Sequence, residues 1–120
     1  MIKHALPLLH VSDAVAAEAF YCDQMGFRKV FAHGPDGVAD PCYMGISRDD
    51  VWIILSSFSG DGVAGGVVNL LVDNVHELHA EFVAKGVAID LAPIDQTWGT
   101  REMYVKDRDG NCIRFQQELN

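Results

Sequence analysis

Apolar and polar positions run through this chain in two similar rounds. Leu6 to Val11 is a short apolar stretch that fits a strand, and Ser12 and Asp13 after it are residues that cap helices. Val15, Ala19, Phe20 and Met25 supply the apolar side of a helix over 14–25. Gly26 closes it, because glycine accepts the left-handed conformation that helix ends often require. Phe27 to Phe31 then turns into a strand. Two more strands are predicted, Cys42 to Ser47 and Val51 to Phe58, joined at Arg48-Asp49-Asp50.

The second round repeats the first. Val67 to Val72 is a strand, and Asp73 and Asn74 open the next helix. Asn74 stands three residues before Glu77, the spacing of a capping box with Asn in place of Ser or Thr. Val75, Leu78, Phe82 and Val83 carry the helical rhythm, Gly86 ends it, and Val87 to Leu91 becomes a strand. Glu102 to Val105 and Cys112 to Gln116 are the last strands, joined by Asp107-Arg108-Asp109-Gly110-Asn111, whose Asp-Gly pair signals a hairpin. Asp13 matches Asp73 and Gly26 matches Gly86 at one common offset, the mark of a duplicated supersecondary unit. The expected plan is one domain over 1–120, with a βαβββ module at 4–58, a glycine-rich linker at 59–66 and a second module at 67–117.

Composition narrows the classes. At 120 residues the chain suits a single core, since two independent domains would each be too small. Nothing approaches the length of a membrane span, and no basic, then apolar, export signal precedes the first strand. A cytoplasmic protein without a membrane partner is expected. The three cysteines, Cys22, Cys42 and Cys112, are widely spaced and form no CxxC pair, so they are expected to be structural thiols. Nine basic against seventeen acidic residues give a net charge of −8, which disfavours nucleic acid as a partner.

Several short motifs occur together in a fixed order. They are Leu9-x-Val11-x-Asp13, Phe20-Tyr21, Gly26-Phe27, Trp98-Gly99-x-Arg101-Glu102 and Asp107-x-Asp109-Gly110-Asn111. In this order, on top of the duplication, they resemble the vicinal oxygen chelate superfamily, which includes glyoxalase I, extradiol dioxygenases, fosfomycin resistance proteins and bleomycin resistance proteins. The resemblance covers residues 5 to 117 and is nearest to the bleomycin resistance members. It implies an α+β fold of two βαβββ modules, a curved mixed sheet around a cleft, and a homodimer.

Enzymes of that superfamily hold a divalent metal in the cleft. The positions that map to their ligands are here Leu6, Val67 and Arg114, two apolar side chains and a cation. The strand after Val51 adds no carboxylate or histidine, so no metal and no other cofactor are expected. His4 and His10 have the strand parity of Leu6, but the facing strand offers only Asn69 as a polar partner. His76 and His79 lie on an exposed helical stretch and read as surface residues.

Strand alternation puts Leu6, Leu8, His10, Val67, Asn69 and Leu71 toward the cleft, with Cys112, Arg114 and Gln116. Such a lining, apolar with a few polar groups, suits a small molecule. The resemblance implies that Trp98, beside Gly99, stacks on the ligand at the rim. Phe31, Tyr43 and Trp52 are further wall candidates. Asn69, Arg114 and His10 are expected to orient polar groups, and Arg101 either joins them or pairs with Glu102. No nucleophile, metalloprotease or nucleotide-binding motif is present. The expected function is metal-free binding of a small molecule, a bleomycin-like drug or similar aromatic compound, with no catalytic residue. The alternative is a glyoxalase- or dioxygenase-like enzyme, either metal-free, with Cys112 and His10 as thiol and base, or with an atypical ligand set.

Overall fold

The computed structural model describes all 120 residues. They divide into two compact units, Met1–Gly66 and Val67–Asn120. Each unit is a four-stranded mixed sheet with one helical segment packed on one face. In the first unit, β1 (Leu8–His10) pairs parallel with β4 (Val51–Ser56), which continues antiparallel through β3 (Tyr43–Arg48) to β2 (Arg28–His33). In the second, β5 (Val67–Leu71) pairs parallel with β8 (Cys112–Glu118), followed by β7 (Thr100–Lys106) and β6 (Leu91–Asp95). The order is the same in both, so the duplication in the sequence is a duplication of topology. The fold class is α+β.

The helical face of each sheet carries the core. In the first unit Leu9, Met44, Ile46, Ile53 and Leu55 are buried there with Tyr21 and Met25 of the helical segment. In the second, Met103, Val105, Ile113 and Phe115 meet helix α2 (Val75–Ala84), where Phe82 and Phe115 pack edge to face at 5.3 Å. No helix is long and apolar enough to cross a membrane.

The helix starts are set by side chains. Asp13 caps α1 (Ala14–Glu18), its Oδ1 accepting from the N–H groups of Val15 and Ala16 at 2.9 and 3.2 Å. Asn74, not Asp73, caps α2, its Oδ1 accepting from Glu77 N–H at 3.0 Å. The first N–H of each helix is satisfied from elsewhere in its own unit, Ala14 by Asp40 Oδ1 and Val75 by Gln117 Oε1, both at 2.9 Å.

The Asn74 cap, with the capping-box spacing expected from the sequence, exposes a difference between the halves. From cap to terminating glycine the first half counts thirteen steps (13 to 26) and the second twelve (74 to 86). The extra residue is absorbed by a π-helical segment, Ala19–Gln24, in which Met25 N–H donates to the carbonyl of Phe20, five residues back. A single continuous α-helix over 14–25 is therefore not what forms.

Two strand boundaries also depart from the sequence pattern. Val87 to Leu91 is not a strand, and β6 begins at Leu91. Gly86, with φ 79°, ends α2 while its N–H donates to Val83 O and Val87 N–H to Phe82 O. This is the Schellman arrangement, in which the apolar residue after the glycine tucks back against the helix, and Val87 is buried for that reason. Phe27 plays the same part after Gly26, donating to Tyr21 O, and β2 starts one residue later than expected. The segment 59–66, expected as a linker, is folded onto the first unit. Ser56 Oγ donates to Asp61 Oδ2 at 2.7 Å and His10 Nδ1 to the Asp61 carbonyl at 3.1 Å.

Candidate functional site

In each sheet the face turned away from the helical segment carries the chemistry. The pairing of the first sheet places Phe31, Tyr43, Trp52 and His10 all on this open face. Phe31 is opposite Gly45, and the absence of a side chain there is what lets its ring lie flat on the sheet. A Cβ at Gly45 would sit 2.2 Å from the Phe31 ring. Phe31 stacks on Tyr43 at 6.2 Å and lies 5.2 Å from the ring of His33, a residue absent from the sequence-derived candidates.

The open face of the second sheet is organised around Glu102, which is only 2% exposed. Its carboxylate accepts from Thr100 Oγ1 at 2.5 Å and Trp98 Nε1 at 3.0 Å on one oxygen, and from Tyr104 Oη at 2.8 Å on the other. Burial by itself would raise the pKa of Glu102. The three hydrogen bonds and the nearby charge of Arg114 outweigh it and hold the carboxyl below its ordinary value. Glu102 is thus an ionised anchor held by three donors. Its hydrogen bond and burial in turn raise the pKa of Tyr104, which stays a neutral donor.

Trp98 lies in the turn between β6 and β7, where Gly99 has φ 94°. Trp98 is 67% exposed while its indole N–H is fixed by Glu102. Arg114 is half-buried across from Tyr104 in the ladder, its guanidinium carbon 4.8 Å from the Tyr104 ring centroid. Asn69 is its other register partner and accepts from Gln116 Nε2 at 3.1 Å. A depression of about 310 Å³ at the ends of β5 and β8, lined by Leu71, Val72, Asp73, Gln117 and Glu118, adjoins this face.

Arg101 stands apart from this group. It belongs to the opposite parity of β7, with Met103 and Val105, and pairs with Asp95 at 2.7 and 3.3 Å rather than with Glu102. Adjacent residues on a strand point to opposite faces, so an Arg101–Glu102 pair is geometrically excluded. The same alternation is the signal by which Glu102 and Tyr104 were accessible from sequence: Met103 and Val105 fix the core side, and their neighbours fall on the other.

The residues do not fit a metal. No three His, Cys, Asp or Glu side chains are arranged to hold one. On the second open face the one buried carboxylate is committed to three donors beside a cation. All three cysteines are free thiols. Cys42 and Cys112 are buried, and burial pushes Cys22 up to about 11, away from nucleophilic reactivity.

Fold and site together define an α+β protein of two βαβββ modules with polar and aromatic residues gathered on the open sheet faces. The chain belongs to the glyoxalase superfamily, whose family model, described as glyoxalase superfamily protein, matches residues 1–120. A bleomycin resistance protein of Geobacillus stearothermophilus is 27% identical over 96% of both chains. Among solved structures, a bleomycin-binding protein complexed with bleomycin superposes with a TM-score of 0.77 at 24% identity, over 98% of this chain and 99% of that one. A lactoylglutathione lyase of Agrobacterium tumefaciens superposes at 0.73 with 19% identity, over 98% and 95%.

Proposed function

We propose that this protein binds an aromatic small molecule without a metal ion and acts by sequestering it, as a cytoplasmic homodimer. The observation that carries this reading is the state of Trp98, an exposed indole locked by a buried carboxylate. An exposed ring normally rotates freely and loses entropy on stacking. A ring already held in place avoids much of that cost. Within the second unit Asn69 and Arg114 add polar groups to the face that carries Trp98; within the first, Phe31, Tyr43 and Trp52 form an aromatic surface of their own with His10 at its edge. Support also comes from the bleomycin resistance relative and from a donor set that suits no metal. The ligand is an antibiotic or a compound of similar aromatic build.

The test is a titration in EDTA, followed by tryptophan fluorescence, with bleomycin and with the neutral planar probe 2-naphthamide. Saturable quenching by at least one of them, lost in Trp98→Ala, is the expected result. No saturable response to either, or an unchanged response in Trp98→Ala, contradicts the proposal.

A further inference from the structure

The Arg114 side chain makes no hydrogen bond and no ion pair. Its guanidinium carries five N–H donors. Its charged head lies over the face of Tyr104, and its Nε is a buried polar atom with no hydrogen-bond partner. The nearby carboxylate of Glu102 accepts from Trp98, Thr100 and Tyr104, and acts on Arg114 through charge without a hydrogen bond. A half-buried arginine normally spends its donors on a carboxylate or on carbonyls, since an unmade hydrogen bond to a charged group is costly. Beside it, the exposed Asn69 accepts from Gln116 with its carbonyl oxygen, and its amide N–H₂ is a second donor on the same face.

We infer that Arg114 and Asn69 form the anion-recognising part of the ligand site, so that the molecule taken up is an aromatic compound bearing a carboxylate or an equivalent planar anion. This rests on the small-molecule reading proposed above. A planar carboxylate matches the guanidinium fork in two parallel hydrogen bonds, and Tyr104 holds the fork from below without consuming a donor. Trp98 and Arg114 are linked through the same pair, Glu102 and Tyr104: hydrogen bonds tie Trp98 and Tyr104 to Glu102, and the Tyr104 ring face carries the Arg114 guanidinium.

The overall charge of −8 works against an anion at long range. Exposed charges are screened beyond about 8–10 Å at physiological salt, whereas a contact with Arg114 is made at hydrogen-bond distance. Contact chemistry therefore sets the equilibrium preference, and the overall charge slows association.

The deciding experiment compares 2-naphthoate with 2-naphthamide, equal in shape and differing in charge, by fluorescence titration of the full chain in EDTA. The acid is expected to bind about ten-fold or more tightly than the amide. Arg114→Gln is expected to abolish that preference while still binding the amide, and Arg114→Lys, which keeps a point charge without the fork, to retain part of it. Equal affinity of the native protein for acid and amide overturns the anion assignment and leaves the aromatic site standing. Full preference retained in Arg114→Gln overturns the role of Arg114. Binding of neither compound overturns the anion assignment, and the small-molecule reading falls with it only if bleomycin also gives no saturable response.

Discussion

The indole N–H of Trp98 donates to the carboxylate of Glu102 at 3.0 Å, so one of the most exposed aromatic rings of the chain is tied to one of its most buried acids. The acid is affordable in that position because three neutral donors converge on it and Arg114 lies nearby. The arrangement fixes a surface group from beneath, and its consequences are measurable without knowledge of the ligand.

Glu102→Gln keeps the shape but removes the charge and presents an N–H₂ group to donors. A loss of about 1–3 kcal/mol is expected in urea denaturation. In a Trp52→Phe background, where Trp98 is the only tryptophan, its fluorescence anisotropy falls in the same variant as the ring is released.

The pH dependence follows from the sign of the Glu102 shift. Its folded pKa is depressed, so its contribution is present above the unfolded value, ordinarily 4.5, and disappears as pH falls through the lower folded value. The stability gap between the native protein and Glu102→Gln is therefore constant near neutrality and closes below about pH 4.5. Asp40, held down by the Ser57 hydroxyl, and Asp95, held down by Arg101, weaken both proteins alike over the same range. A gap that widened on acidification would refute this assignment.

Gly45→Ala tests the aromatic face of the first unit. The new methyl group would occupy the Phe31 ring position, forcing the ring off the Tyr43 stack. A loss of about 1–3 kcal/mol by chemical denaturation is expected, with a weaker near-ultraviolet circular dichroism signal. Combining it with Phe31→Ala should cost less than the sum of the two separate changes, because the clash is then absent.

Asn74→Ala and Asp73→Ala separate the two candidate caps of α2. The first loses the bond to Glu77 N–H and should cost about 1 kcal/mol, and the second should stay within about 0.5 kcal/mol, both read from thermal or urea midpoints.

Much of the fold was legible because period and punctuation agree. Alternating strands, helix caps and Gly26 and Gly86 recur in order, and two sheets of identical strand order result. What escaped was local and depended on counting. Matching Asp13 to Asp73 concealed the extra residue that makes Ala19–Gln24 π-helical. Val87 and Phe27 looked like strand starts because an apolar residue after a terminating glycine has the same appearance in either role. At the site, alternation put His10, Asn69 and Arg114 on the open side of their strands, whereas Phe31, Tyr43 and Trp52 were wall candidates without a face until the strand registers placed them beside His10. The partnership of Phe31 with Gly45 depends on the β2–β3 register, and the convergence on Glu102 on the turn that carries Trp98. Neither is written in a local pattern.

The most direct test of the whole account is a map of amide chemical shifts in a ¹⁵N-labelled sample titrated with 2-naphthoate in EDTA. Binding at the open face of the second unit predicts saturable shifts concentrated in 98–104 and 112–117, with Asn69 and the Trp98 indole N–H among the largest. Shifts confined to the helix at Val75–Ala84, or a spectrum unchanged at saturating probe, would contradict it.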